Sequence, residues 1–186
     1  MKTKYPCQRR NVILPYIHPD LPNDVEAWMT IPEYNMLKLL TKDMVYCEIG
    51  TFQGASTILV GQGAKSLTLI DPKLNNEDWV NRIRSNIEQE TYISIYADKS
   101  QNVHDSIDDE SIDVLLIDGN HGKKEVLLDY IYYWKKVKHG GYIVFHDYGM
   151  KEFKGVSQSV DGAVFDKYIG SCDTLIWFMK EDEKDE

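Results

Sequence analysis

Four short apolar runs in this chain are each closed by a carboxylate: Glu48, Asp71, Asp98 and Asp118. A fifth run, Tyr142-Ile143-Val144-Phe145, is closed by His146-Asp147, and His121 stands three residues after Asp118. Carboxylates accept hydrogen bonds from hydroxyls and hold cations, while an imidazole changes charge near pH ~6.5. Such a set suits cation binding, recognition of a diol, or transfer of one proton. Asp71 or Asp98 taken alone is equally well explained as a helix N-cap. Five runs that end alike are harder to explain by capping.

The first run leads into Glu48-Ile49-Gly50-Thr51-Phe52-Gln53-Gly54. A glycine straight after a strand lets the backbone approach a ligand, and a second glycine four residues on lets the next helix pack closely. This is not the G-x-G-x-x-G of dinucleotide sites, which leaves a helix N-terminus open to a pyrophosphate. Glu48 would repel phosphate and suits a ligand that carries an ammonium and a sulfonium. Asp71 lies twenty-three residues after Glu48, near the usual spacing for an acid that accepts from ribose hydroxyls. A ribose-binding acid behind a phosphate-repelling turn fits S-adenosylmethionine better than NAD.

The elements that must position these residues alternate along the chain. Strands are expected at 44–49, 66–70, 93–96, 112–117, 142–145 and 174–179, and helices at about 31–40, 54–63, 77–90, 100–107, 123–138 and 159–169. Thr30 and Glu33 have capping-box spacing, and Gly140-Gly141 is expected to stop the long helix by left-handed capping. Short apolar strands alternating with helices mean parallel βαβ units. The fold class is therefore α/β, a doubly wound and mostly parallel sheet with helices on both faces. Such sheets bind ligands beyond the carboxyl ends of their strands, where the acids fall. Prolines at 6, 15, 19, 22 and 32 make residues 1–30 an irregular arm, serving as a lid or a dimer contact. Residues 31–179 form the domain, and 180–186, with five acids and two bases, a charged, disordered tail.

With 186 residues, 42% of them hydrophobic, the chain suits one globular domain. A net charge of −9 argues against a nucleic-acid partner, and no apolar run reaches membrane-spanning length. Lys2 and Lys4 are not followed by the apolar stretch of a secretory signal. Cys7, Cys47 and Cys172 lack metal-ligand spacing, so a reducing, cytoplasmic setting is expected. The expected partners are a small-molecule acceptor and, through the arm, a second copy of the chain.

Three segments carry a family resemblance: Cys47-Glu48-Ile49-Gly50-Thr51-Phe52-Gln53-Gly54-Ala55-Ser56-Thr57, Leu116-Ile117-Asp118-Gly119-Asn120-His121, and Gly140-Gly141-Tyr142-Ile143-Val144-Phe145-His146-Asp147-Tyr148. In this order they resemble the class I S-adenosylmethionine-dependent methyltransferases. The nearest branch holds the macrocin-type sugar O-methyltransferases and relatives of the cephalosporin hydroxylase, and the resemblance runs from about Trp28 to Met179. It implies a Rossmann-like methyltransferase fold and methylation of a small hydroxylated acceptor such as a sugar. By the same resemblance Glu48, Gly50 and Thr51 hold the methionine end of the donor, and Gln53 and Ser56 open the adjoining helix. Asp71 binds the ribose, Asp98 and Ser100 border the adenine, and Asp118 sits beside the reacting methyl. Two departures stand out. The family often ends in a two-strand hairpin, whereas 170–179 has room for one clear strand, so a truncated sheet edge is expected. Sugar-methylating relatives often carry two acids where His146-Asp147 stands.

An alcohol is a weak nucleophile at neutral pH, so a base or a metal has to assist. Asp118, His146 and Asp147 could share a divalent ion: magnesium or, with an imidazole ligand, manganese or iron. In the metal-free alternative Asp118 binds the donor, Asp147 caps the next segment, and His146 or His121 is the base. An NAD-dependent oxidoreductase and a non-catalytic protein of the same fold stay open as other functions.

Overall fold

The structure is a computed structural model and describes residues 3–7, 14–87 and 90–181. Two short strands in the arm, β1 (Tyr16–Ile17) and β2 (Glu26–Ala27), pair antiparallel. Helix α1 (Ile31–Thr41) follows with its capping box complete: Glu33 N–H donates to Thr30 Oγ1, and Thr30 N–H donates to Glu33 Oε2 at 2.6 Å. Then come β3 (Val45–Ile49), α2 (Ala55–Val60), β4 (Ser66–Ile70), α3 (Glu77–Ser85), β5 (Tyr92–Tyr96), α4 (Ser100–Val103) and β6 (Ile112–Ile117). The chain closes with α5 (Lys123–Trp134), β7 (Val137–Phe145), α6 (Lys154–Ala163), β8 (Lys167–Cys172) and β9 (Leu175–Met179).

Seven strands form one sheet in the order β5-β4-β3-β6-β7-β9-β8, parallel through β7 and antiparallel for the last two pairs. The strands are apolar on both sides because both sides are covered. Tyr46, Leu69, Leu116 and Val144 pack with Leu37, Ile58 and Ile83 of α1 to α3 on one face. Cys47, Ile70, Ile117 and Phe145, one residue out of phase, pack with Val126, Tyr130 and Val160 of α5 and α6 on the other. After β3 the chain winds outward to β5 and then returns to place β6 on the opposite side of β3. Strand order therefore reverses between Gly50 and Asp118.

Several boundaries differ from the expectation. The long helix ends at Trp134, and Gly140-Gly141 lies inside β7 as a bulge: Ile112 pairs with Val137, yet Val114 pairs with Tyr142. Gly140 takes its positive φ of 74° there, within a strand. The last helix is 154–163, earlier than expected, which frees the chain for β8. The sheet edge is consequently a full hairpin, not a truncated one. Its turn is Asp173-Thr174, with Asp173 at φ 50°, a left-handed conformation that aspartate tolerates and that carries no glycine signal. The arm is also more ordered than its prolines suggest, since Leu21, Val25, Ala27 and Met29 join the core. Lys180, the first residue of the charged tail, is buried: its ammonium donates to the Val137 carbonyl and lies over the Trp134 ring. Glu181 is exposed, and residues 182–186 of that tail lie outside the described residues. Among the described residues no helix is long and apolar enough to cross a membrane.

Thr30 caps α1 and its hydroxyl also donates to Asp173 Oδ2 at 2.7 Å, so one side chain ties the helix to the hairpin turn. Thr30→Ala is expected to lower the unfolding free energy by about 1–2 kcal/mol in urea titrations. A loss indistinguishable from zero would show that neither bond contributes.

Candidate active site

A cavity of about 1190 Å³ opens where the strand order reverses. That exceeds the range of about 300–1,000 Å³ for single small-molecule sites, leaving room for two ligands together. Gly50, Thr51, Gln53 and Ser56 line it from the turn after β3, and Asp71 and Ser100 from the next two strand ends. Asp118, His121, His146 and Asp147 line it from β6 and β7. Gly50 has φ 96°, and a Cβ there would lie 2.1 Å from the Asp118 carbonyl oxygen, so only glycine admits this approach. Thr51 is buried with its hydroxyl unpartnered in the cavity wall, a polar atom that a ligand would satisfy.

Asp71 holds the glycine turn. Its Oδ2 accepts from Phe52 N–H and its Oδ1 from Lys73 N–H, each at 2.8 Å, and each oxygen keeps a further lone pair. Two other expected donor contacts are not on the wall. Glu48 shares the sheet face of Tyr46, turns beneath α2, and accepts from the hydroxyls of Ser56 and Thr57. Its burial, reinforced by the charges of Asp118 and Asp71 and opposed by the two hydroxyls, pushes its carboxyl up to about 7. Asp98 is exposed two residues before α4, accepting from Lys99 N–H at 2.7 Å and Asn102 Nδ2 at 2.8 Å. Gln53 lines the cavity, but its Oε1 accepts from Glu26 N–H at 3.1 Å and so fastens the arm.

At the centre Asp118, His121 and Asp147 each offer a ligating atom within 4.8 Å of the others. His121 Nε2 is 2.8 Å from Asp147 Oδ2 and 3.9 Å from Asp118 Oδ1, yet it makes no aligned hydrogen bond. A ring nitrogen set off-axis between two carboxylates could also share a cation with them. Asp147 reaches this position through a left-handed backbone, φ 61°. His146, also expected as a ligand, faces the same two acids from the buried side. Its Nδ1 lies 3.1 Å from Asp118 Oδ1 and 3.5 Å from Asp147 Oδ2, while its Nε2 faces Glu33 Oε2 at 3.6 Å.

A family profile described as a methyltransferase domain matches residues 47–148, from β3 to just past β7 and more than half of the chain. The chain belongs to this methyltransferase-domain family. An uncharacterised protein of Acanthamoeba polyphaga mimivirus, R132, is 35% identical over 119 residues, a match covering 57% of this chain and 52% of that protein. The chain thus spans about half the length of that relative. The O-methyltransferase NovP superposes with a TM-score of 0.71 at 14% identity, covering 87% of this chain and 84% of NovP. The N-methyltransferase NodS of Bradyrhizobium japonicum WM9, in complex with S-adenosyl-L-homocysteine, superposes with a TM-score of 0.57 at 17% identity, covering 80% of this chain and 86% of NodS. These likenesses give the methyltransferase domain its class I fold.

Within the methyltransferase domain two buried acids escaped the sequence reading. Glu33 accepts from Thr174 N–H and Oγ1, each at 2.7 Å. Burial disfavours its charge, but the facing His146 imidazole and the bonds from Thr174 and Thr30 hold it at about 2. Asp129 accepts from Ser100 Oγ and, at 2.8 Å, from Gln101 Nε2, and burial pushes it up to about 6. The spacing of Val126, Asp129 and Tyr133 on one face of α5 was the available signal for Asp129. Glu33 carried only its capping role. Burial also works against a charged imidazole at His121, but the carboxylates of Asp118 and Asp147 beside it raise it to about 9.

Glu48 should leave a pH signature. Because its folded pKa is raised from 4.5 to about 7, its contribution to stability is fully present below pH 4.5 and is lost as pH climbs to about 7. The ligand-free Glu48→Gln variant is therefore expected to become more stable relative to wild type between pH 5 and pH 8, by on the order of 2 kcal/mol in urea unfolding. An equal difference at both pH values would show that Glu48 ionises freely.

Proposed function

We propose that this methyltransferase domain transfers a methyl group from S-adenosylmethionine to a hydroxyl of a small acceptor, a sugar foremost, with the help of one divalent cation. The observation that carries the reading is the convergence of Asp118, His121 and Asp147 inside a cavity with room for donor and acceptor together. Adenosylmethionine, bound there, supplies the methyl as an electrophile on sulfonium. Gly50 lets it approach the backbone, Thr51 hydrogen-bonds it, and Asp71 accepts from its ribose. Asp118, His121 and Asp147 would hold a manganese, iron or magnesium ion that lowers the pKa of the acceptor hydroxyl. His146 orients Asp118 from behind. The net charge of −9 supports a small-molecule acceptor over a nucleic acid, and a cytoplasmic setting accords with the cysteine pattern.

Adenosylhomocysteine at 100 times its Kd is expected to stabilise the protein by about 2.7 kcal/mol, about 5–10 °C in melting temperature, while NAD leaves it unchanged. A shift with NAD alone would replace this reading by an oxidoreductase. Asp147→Ala is expected to weaken manganese binding, measured by calorimetry, at least about tenfold while adenosylhomocysteine affinity changes by less than about threefold. Unaltered manganese binding would remove the cation from the proposal.

A further inference from the structure

The arm brings an aromatic residue to the cavity that the donor reading leaves unused. Trp28, just after β2, lines the cavity and remains 48% exposed. Among the described residues no ring stacks on it, whereas the other aromatics that line the cavity are engaged: Phe153 stacks on His121 at 4.0 Å, Phe52 packs edge-on to Trp79 at 5.2 Å, and Tyr34 meets His18 at 5.4 Å. The indole is held by its edge: Nε1–H donates to Glu26 Oε2 at 3.3 Å. The backbone beneath it is fastened too, Trp28 N–H to the Tyr34 hydroxyl at 3.2 Å, Glu26 N–H to Gln53 at 3.1 Å, and Asp24 to Arg82 at 2.7 Å. A large apolar face is therefore presented at fixed orientation, with a carboxylate at its rim.

We propose that Trp28 and Glu26 form the acceptor subsite of this cavity and select a ring that carries hydroxyl donors and no anionic group. The inference rests on the methyl-transfer reading above. The indole face covers the C–H face of such a ring, and the fixed edge means that little rotamer freedom is lost on binding. Glu26 has lone pairs beyond the one Trp28 uses, and a carboxylate accepts from hydroxyls but donates to nothing. Glu152 lines the same cavity, and Asp118 and Asp147 stand at its centre. An acidic acceptor would meet like charge at Glu26 and Glu152 on this wall. Of the lysines that line the cavity, Lys73 and Lys99 follow β4 and β5, on the donor side, where Lys73 already lies over the Phe52 ring, and Lys124 opens α5 next to Glu125.

The test uses the full chain saturated with adenosylhomocysteine and a panel of neutral methyl glycosides, each paired with the methyl glycoside of its uronic acid. Saturation-transfer NMR and calorimetry read binding. At least one neutral glycoside is expected to bind, its uronate about tenfold more weakly, and Trp28→Ala to weaken the neutral glycoside about tenfold, with Trp28→Phe retaining most of it. Adenosylhomocysteine affinity is expected to stay within about twofold in both variants, because the indole lies outside the donor contacts. Equal binding of the uronate, wild-type glycoside affinity in Trp28→Ala, or no glycoside binding at all would overturn the subsite while leaving methyl transfer standing. Failure of the wild type to bind adenosylhomocysteine would overturn the methyl-transfer reading itself. Undiminished glycoside binding together with a lower mass of Trp28→Ala in light scattering would assign the indole to a contact between copies, and would likewise overturn the subsite.

Discussion

The turn after β3 and the end of β6 are pressed together at the point where the sheet changes direction. A single methyl group on Gly50 would fall 2.1 Å from the Asp118 carbonyl oxygen, and Asp118 N–H is already bonded to the Ile49 carbonyl at 2.9 Å. Because that approach is fixed, the Asp118 carboxylate emerges beside the glycine turn. The next strand, β7, then delivers His146 and Asp147 one strand spacing further on. The positive φ of Asp147 turns its carboxylate back toward Asp118 and His121. A bulkier residue at 50 would separate β3 from β6 and dissolve the site without touching any of its polar groups.

Gathering so many acids in one place raises a second physical problem, which the chain meets by alternation. Glu33 faces His146, His146 faces Asp118 and Asp147, and those two face His121. Each buried charge has an opposite neighbour, and breaking any one pair would leave an uncompensated charge in the interior. The hairpin takes part as well, since Thr174 in its turn donates twice to Glu33 and Asp173 accepts from Thr30. The sheet edge that the linear pattern suggested was missing therefore supports the centre of the site.

Glu48, one layer below the cavity, and Asp129, at its wall, do related work. Neither carboxylate stands at the centre, but each gathers hydroxyl or amide donors from residues that line the wall: Ser56 for Glu48, Ser100 and Gln101 for Asp129. Both are raised in pKa by burial, so both are held nearer neutrality than an exposed carboxyl. They brace the turns after β3 and before α4.

Much of this was written in local pattern. Apolar runs of strand length, a capping box at Thr30 and Glu33, and an acid at the close of each run are properties of consecutive residues, so the α/β architecture and the edge that carries the site could be read directly. What could not be read depended on which distant residues meet. Gly140-Gly141 serves a helix end or a strand bulge equally well until β6 is beside it. Asp173-Thr174 has no glycine to announce a turn and is held by Thr30 and Glu33, more than 140 positions away. His121 and His146 are chemically identical and both face the two acids, and only the packing of β6 against β7 buries His146 and leaves His121 partly exposed. Sequence carries periodicity and chemical type because those are set within a few residues. Register, side-chain direction and the pairing of charges are set by contact across the fold, and they were decided there.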